Sequence, residues 1–166
     1  MANLILETDQ RREASLEALA AALPARGRLM GVDLGTKTIG LALSDVERRI
    51  ASPLDTIRRV KFAPDAAALL KRARDFEICA FVVGLPLELD GKAGPRAQAT
   101  RAFMRNLAAL EPPPHVYWDE RFSTAVVTRE LIAQDVSRAK RAEVVDRMAA
   151  AYILQGALDR LARLAD

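Results

Sequence analysis

Four acidic residues stand where chemistry would explain them better than structure alone: Asp33, Asp119, Glu120 and Asp146. The first lies in an otherwise apolar segment, the next two follow a second such segment, and the last lies in a long stretch rich in Ala and Leu. A buried carboxylate is costly unless a cation or a basic side chain compensates its charge. Oxygen ligands suit hard divalent cations such as Mg²⁺, and two such ions about 4 Å apart can activate a water for phosphodiester hydrolysis. These acids therefore indicate a metal-dependent active site.

Each acid also has an ordinary structural explanation, and these alternatives stay open. Asp33 could be solvated at a strand end or could cap the following turn, and Asp146 could pair with an arginine on its own helix. Asp119 and Glu120 could be acids favoured by the dipole at the start of the next helix. We favour a functional interpretation because glycines flank Asp33 and because acids recur at several elements. If Asp119 and Glu120 lie in a strand, they point to opposite faces, so that one of them enters the site directly.

The segment around Asp33 is predicted to form a β-hairpin. Its strands cover residues 29–34 and 38–44, and its turn covers residues 35–37. Gly35 is expected to supply the positive φ that a short hairpin turn usually needs. Gly31 and Gly40 lie inside the strands, where glycine often marks the close approach of another backbone. Another element is therefore expected to pack closely on this hairpin.

The remaining patterns predict an α/β fold. Further strands are predicted at residues 50–57, 78–83 and 115–118, and helices at residues 62–76, 95–110, 125–133 and 139–164. Pro53 makes the first of these strands an edge or an irregular strand, whereas the apolar run 78–83 predicts a central parallel strand that is buried on both faces. In open α/β sheets, ligands gather beyond the carboxyl ends of such strands.

The last predicted helix carries Asp146 among small neighbours along the same face. These neighbours are Ala142, Ala149, Ala150 and Ile153. They should let the helix approach the sheet closely and present Asp146 to it. Its apolar positions are expected at Val144, Val145, Met148, Tyr152, Leu158 and Leu161.

Basic residues concentrate in loops that should flank the carboxyl ends of the strands. The candidates for contact with nucleic-acid phosphates are Lys37, Lys92, Arg96, Arg101 and Arg121. No acid lies between Lys92 and Arg105, and Arg101 and Arg105 are four residues apart, so they share a helix face. Phosphate contacts of this kind dominate the affinity of nucleic-acid binding. Plain solubility is the alternative explanation, and Arg121 could instead neutralise an acid.

Length and composition bound the remaining classes of function. The 166 residues suit one domain with a substantial core, and a net charge of +3 is compatible with an acidic partner. A single cysteine, Cys79, excludes an internal disulfide framework and a Cys-rich zinc site. We expect Cys79 to be buried and inert, and the single histidine, His115, to begin a strand. With no visible signal peptide and no run of roughly 20 apolar residues, we expect a cytoplasmic protein without a membrane span.

Four segments, taken in order, resemble the motif set of the YqgF family, also called RuvX. They are Gly-Val-Asp-Leu-Gly-Thr-Lys-Thr-Ile-Gly-Leu-Ala-Leu-Ser-Asp at 31–45, Val-Gly-Leu-Pro at 83–86, Asp-Glu-Arg-Phe-Ser-Thr at 119–124 and Asp-Arg-Met-Ala-Ala-Ala-Tyr-Ile-Leu-Gln at 146–155. The resemblance implies a ribonuclease H-like fold for residues 28–166, with a five-stranded mixed sheet flanked by helices. Residues 1–27 fall outside it and are expected to form a helical extension, with a helix at residues 15–23.

The resemblance also implies a metal-dependent nuclease that processes the 5′ end of pre-16S ribosomal RNA and is related to Holliday-junction resolvases. By motif match, Asp33, Glu120 and Asp146 would bind the metal, and Asp119 would be a neighbouring catalytic residue. The implied cofactors are Mg²⁺ or Mn²⁺, as two ions. The implied partners are nucleic acid and ribosomal particles.

Two other functions stay open on the sequence, and a third is disfavoured by the length of the chain. The chain could cleave branched DNA in the manner of a Holliday-junction resolvase, or it could be a non-catalytic module that binds RNA or the ribosome. Residues 33–36 also resemble the phosphate loop of actin-like ATPases and sugar kinases. Those proteins need two lobes and a second phosphate loop, for which 166 residues leave no room.

Overall fold

The structure is a computed structural model. The residues that it describes form a five-stranded mixed sheet with helices on both faces. These are residues 15–88, 90–120 and 138–166, with side chains described from residue 143 in the last range. The strands are β1 (Arg28–Leu34), β2 (Thr38–Ser44), β3 (Ala51–Arg58), β4 (Ile78–Leu85) and β5 (His115–Asp119). The helices are α1 (Leu16–Ala22), α2 (Phe62–Asp75), α3 (Pro95–Ala108) and α4 (Arg138–Ala165). The helix predicted at residues 125–133 lies outside the described residues.

The strands follow the order β3-β2-β1-β4-β5 across the sheet. The pairs β1–β2 and β2–β3 are antiparallel, whereas β4 lies parallel to both β1 and β5. Its continuous apolar run is buried, because a central strand is covered on both faces, and this confirms the expectation from the sequence. Pro53 lies on the edge strand β3 opposite Ala42, at a register shift, where a residue without an N–H donor is tolerated.

The turn between β1 and β2 corrects one expectation from the sequence. Gly35 does not have a positive φ; among the described glycines only Gly27 and Gly91 do. The Gly35 N–H donates to the Thr38 carbonyl oxygen over 2.9 Å, and a Cβ on Gly35 would lie 3.0 Å from that same oxygen. Glycine is therefore favoured here by the closeness of the turn's own backbone. Outside the turn, Arg59 Nη1 donates to the Gly35 carbonyl over 2.5 Å.

Two apolar clusters lie on opposite faces of the sheet. Alternation along β4 sends Phe81 towards α2 and α3, and sends Val82 towards α1 and α4. The first cluster includes Leu69 of α2 and Met104 of α3, and the second includes Leu154 of α4. Among the described residues, no helix combines the length and the apolar character needed to cross a membrane.

The buried face of α4 differs from the apolar stripe expected from the sequence. Leu158 is buried, whereas Val144, Val145, Met148, Tyr152 and Leu161 are partly exposed. The side chains that meet the sheet are Ala150, Ala151, Ile153, Leu154, Ala157 and Leu158. Alanines occupy half of these positions, where α4 lies very close to the strands. The expected close approach is confirmed at Ala150, whereas Ala149 is only partly buried and the side chain of Ala142 lies outside the described residues.

Helix α1 packs on the same face as α4. The Ser15 side chain accepts a hydrogen bond from the Ala18 N–H over 3.1 Å and so caps the helix. Leu19 is 1% exposed within the α4 cluster, and Glu17 pairs with Arg160 over 3.1 Å. Cys79 was expected to be buried, but its side chain is only half-buried. It lies near the end of the sheet beside Gly27, where a Cβ would collide with its sulfur.

Candidate active site

Asp33 lies near the carboxyl end of β1 and faces α4. Residues two apart in a strand lie on the same face, so Asp33 shares its face with Gly31 and Leu29. In the antiparallel pair it stands opposite Gly40 of β2. The parallel neighbour β4 ends at the same edge of the sheet, because Val32 pairs with Val83. Asp33 therefore lies at the edge where ligands bind in open α/β sheets.

Glu120 reaches the same edge from the end of β5. It follows directly after this strand, which pairs with β4 so that Trp118 stands opposite Gly84. A Cβ on Gly84 would lie 2.6 Å from Glu120 Oε1, so the glycine leaves the space that the carboxylate crosses. Glu120 forms a side-chain hydrogen bond with Asp33. The sequence alone assigned no role to Gly84. Its position directly after an apolar run was the signal that could have indicated one.

Asp146 approaches the site from α4. Its Oδ2 accepts a hydrogen bond from Thr38 Oγ1, at the first residue of β2. Its main-chain carbonyl lies above Gly40, where any Cβ would collide with it. One turn further along α4, the Ala150 carbonyl oxygen would lie 2.6 Å from a Cβ on Gly31. The close backbone approach expected at Gly31 and Gly40 is thus confirmed, and α4 is the element that makes it.

The three carboxylates affect one another electrostatically. Burial raises the pKa of Asp33 from its ordinary 3.8 to about 8, with further upward contributions from the charges of Glu120 and Asp146. The hydrogen bond with Glu120 acts in the same direction, whereas the positive charge of Arg96 opposes it. At neutral pH the pair of Asp33 and Glu120 therefore retains a proton. A cation at this position would replace that proton.

The three carboxylates do not form a complete set of metal ligands in this arrangement. Within residues 15–88, 90–120 and 138–166, no three acidic, histidine or cysteine side chains are grouped closely enough to hold a metal ion. Asp33 and Glu120 are joined by a side-chain hydrogen bond, and Asp146 accepts a hydrogen bond from Thr38. These contacts stabilise the three carboxylates without a cation. The donor atoms are all oxygens, which is the chemistry that Mg²⁺ and Mn²⁺ prefer.

Asp119 is separated from this group by the alternation of β5. Asp119 lies two residues after Tyr117 and so shares its face of the strand. Tyr117 packs with the cluster under α2 and α3. Trp118 packs instead with the cluster under α4, the face that also carries Asp33. The two adjacent acids therefore leave the strand towards opposite faces. Glu120 is the one that reaches Asp33.

Three of the predicted nucleic-acid contacts, Lys37, Lys92 and Arg96, lie near the same edge of the sheet. Lys37 is exposed on the hairpin turn, and Lys92 is exposed and stands 3.9 Å from Asp90. Arg96 lies in the first turn of α3, near enough to Asp33 to lower its pKa. Arg101 lies over the Tyr117 ring, 5.7 Å from its centroid. Arg121 lies outside the described residues.

The basic residues around α2 are largely neutralised by acids. The ion pairs are Arg58–Glu143 at 2.7 Å, Arg59–Asp65 at 3.7 Å, Lys71–Asp75 at 2.6 Å and Arg72–Asp55 at 2.5 Å. By contrast, Arg96 and Arg105 form no ion pair with other described residues. Arg96 and Arg105 are therefore less compensated by acids than the four paired cations around α2.

Comparisons with known proteins find similarity along most of the chain. A family model described as "RuvX: Holliday junction resolvase" matches residues 27–160. A relative from Methylocella silvestris is 67% identical over 146 residues, which cover 88% of this chain and 91% of the relative. Another from Beijerinckia indica is 67% identical over 147 residues, which cover 89% of each chain. Both relatives carry the provisional name of pre-16S rRNA nuclease.

Among solved structures, the chain is similar to RuvC of T. thermophilus in complex with a Holliday junction substrate. The TM-score is 0.53 at 16% sequence identity, and the match covers 83% of this chain and 96% of the RuvC chain. Similarity at this level of identity establishes the fold. The five-stranded mixed sheet with flanking helices is the ribonuclease H-like fold that the sequence motifs implied.

Proposed function

We infer that this chain, which belongs to the RuvX family, is a nuclease that hydrolyses phosphodiester bonds with the help of divalent metal ions. One observation carries the inference most strongly. Asp33, Glu120 and Asp146 converge at the carboxyl ends of the central strands, where burial and the other two acids raise the pKa of Asp33. A site that concentrates carboxylates in this way is stabilised by a cation, and phosphodiester hydrolysis is chemistry that such cations assist.

Asp33, Glu120 and Asp146 would hold Mg²⁺ or Mn²⁺, as two ions. When bound, the ions activate a water and stabilise the leaving oxygen of the phosphodiester. The three residues differ in how firmly the chain holds them. Asp33 projects from a central strand and is the most rigid, Glu120 follows a strand end and has a longer reach, and Asp146 projects from a helix. Asp119, on the opposite face of β5, would act only indirectly.

We propose pre-16S rRNA as the substrate, with cleavage that matures its 5′ end. The names of the relatives at 67% identity support this substrate. The same reasoning gives ribosomal precursor particles as partners and the cytoplasm as the place of action. The residues proposed to contact the RNA phosphates are Lys37, Lys92, Arg96, Arg101 and Arg121. Of these, Arg96 would bring a phosphate nearest to Asp33.

Cleavage of branched DNA is the second candidate function. The description of the matching family model, which names a Holliday junction resolvase, favours it. A non-catalytic module that binds RNA is the third. The retained carboxylates weigh against this third candidate, because binding phosphates would be easier without them.

One experiment separates the three candidates. The purified protein is incubated with labelled 5′ fragments of pre-16S rRNA and with four-way DNA junctions, in Mg²⁺, in Mn²⁺ and in a chelator. We expect metal-dependent cleavage of the RNA, which Asp33→Asn should abolish while RNA binding persists. Cleavage of junctions alone would favour the DNA nuclease. Binding without cleavage in either metal would overturn the proposed activity.

A further inference from the structure

We propose that Thr38 is a positioning residue that holds the carboxylate of Asp146 in the orientation needed for metal binding. The proposal rests on the proposed function, since it assigns a role towards the same metal site. Thr38 Oγ1 donates to Asp146 Oδ2, and the two residues lie 108 positions apart in the chain. The bond connects the start of β2 to the buried face of α4.

Asp146 needs such a contact because its neighbours repel it. Its negative charge lies close enough to Asp33 to raise the pKa of that residue, and Glu120 adds a third carboxyl group. Without a donor, the Asp146 side chain would turn towards solvent. A hydroxyl that donates to an ionised carboxylate makes a strong, charge-assisted hydrogen bond. The bond uses one lone pair of Oδ2, so the other lone pairs of the carboxylate would remain available to a cation.

Thr38 is itself held firmly in place. Its carbonyl oxygen accepts from the Gly35 N–H over 2.9 Å, so the hairpin turn fixes its backbone. The methyl group of a threonine also restricts its side chain to few rotamers. The hydroxyl is therefore a preorganised donor. Groups that orient metal ligands in this way typically change metal affinity or activity by about 10- to 100-fold when they are removed.

A second threonine provides a matched control. Thr56 Oγ1, on the edge strand β3, donates to the main-chain carbonyl of Glu143 over 2.9 Å. This contact also joins a strand to the start of α4, but it does not touch the Asp146 side chain. Thr56→Val therefore removes a similar hydroxyl contact from the same helix. It should loosen α4 without changing the orientation of Asp146.

The test measures Mn²⁺ binding to the full chain by calorimetry, without nucleic acid. Thr38→Val, which removes the hydroxyl at almost constant shape, should weaken Mn²⁺ binding by about 10-fold. Thr38→Ser keeps the hydroxyl and should bind nearly as the wild type does, as should Thr56→Val. In an Asp146→Ala background, Thr38→Val should have less than about a twofold further effect, because the hydrogen bond has already lost its acceptor. In RNA cleavage, Thr38→Val should lower kcat and leave KM nearly unchanged.

Several results would overturn the proposal. Wild-type Mn²⁺ affinity in Thr38→Val would do so, and so would equal losses in Thr38→Ser and Thr38→Val, which would indicate a packing role. If Thr38→Val fails to fold, Thr38→Ala removes the same hydroxyl and is judged by the same criteria. Wild-type protein that binds no Mn²⁺ would refute the proposed metal site and this proposal with it. Normal Mn²⁺ binding and cleavage in Thr38→Val would refute this proposal alone.

Discussion

The main-chain carbonyl of Asp146 lies directly above Gly40, closer than any side chain at position 40 would permit. The contact joins the second strand of the hairpin to the helix that carries Asp146, one of the proposed metal-binding acids. Asp33 stands opposite the same glycine in the sheet. A single residue without a side chain therefore sets the distance between two of the three carboxylates.

Gly40→Ala should displace α4 and destabilise the fold. The added Cβ would collide with main-chain atoms of Asp146 and Arg147, and backbone cannot move as a flexible side chain can. We expect a loss of about 1–3 kcal/mol in the free energy of unfolding, measured in urea, together with the loss of RNA cleavage. Gly94→Ala is the control, since its new Cβ would meet only the side chain of Glu88. Equal stability of the two variants would show that α4 is not seated on Gly40.

Glu120→Gln should impair RNA cleavage much more than Asp119→Asn. Glu120 bonds to Asp33, whereas the position of Asp119 in β5 directs it to the opposite face. If Glu120 stabilises the transition state through the metal, its loss should cost several kcal/mol, and each 1.4 kcal/mol is about tenfold in rate. Single-turnover rates of both variants on a pre-16S fragment provide the measurement. A larger defect in Asp119→Asn would reverse the assignment of the two acids.

The stability of the metal-free protein should fall as the pH rises from about 4 to about 8. Asp33 has a raised pKa of about 8 in the folded chain against an ordinary 3.8, so the folded state binds the extra proton between these values. One such proton changes the free energy of unfolding by at most about 1.4 kcal/mol per pH unit. Urea unfolding from pH 5 to pH 9 should therefore show a steeper decline for the wild type than for Asp33→Asn. Parallel curves would show that Asp33 titrates near its ordinary pKa.

Removal of the α3 cations should reduce the salt dependence of RNA binding. Each lost phosphate contact lowers the slope of log K against log salt concentration by about one unit, so Arg96→Ala with Arg101→Ala should lower it by about two. Lys71→Ala with Arg72→Ala is the charge-matched control, because Lys71 pairs with Asp75 and Arg72 pairs with Asp55. Binding measured at several salt concentrations gives these slopes. An unchanged slope in the double variant would place the RNA on another surface.

Local signals in the sequence were sufficient for much of the fold and for the acids. Asp33 was visible as a carboxylate in an apolar strand, and Gly31 and Gly40 as glycines within strands, because each breaks a pattern of its own neighbours. The burial of α4 was less predictable, since alanines meet the sheet while Val144 and Tyr152 remain partly exposed. The small residues near Asp146 indicated a close approach, but alanine has no strong apolar signature, so the full set of buried alanines was not predicted.

Contacts between distant segments could not be predicted in the same way. Thr38 reads as an ordinary strand residue, and its bond to Asp146 depends on how α4 crosses the hairpin. The ion pairs around α2 could not be predicted either, because pairs such as Arg58–Glu143 join separate elements. Gly35 shows an error of another kind. The rule that glycine supplies a positive φ in hairpin turns does not hold in this turn, which is closed by the hydrogen bond from the Gly35 N–H to the Thr38 carbonyl.

The packing of Leu19 in the cluster under α4 has a practical consequence for shortened versions of this chain. The family match begins at residue 27, and a protein trimmed there would lack α1 altogether. The trimmed protein would uncover the apolar surface of α4 that Leu19 now covers, including Leu158, and would break the ion pair of Glu17 with Arg160. Newly exposed apolar surface of this kind promotes self-association. Biochemists who want a monodisperse sample should therefore keep the chain from Ser15 onward and attach any affinity tag ahead of that residue.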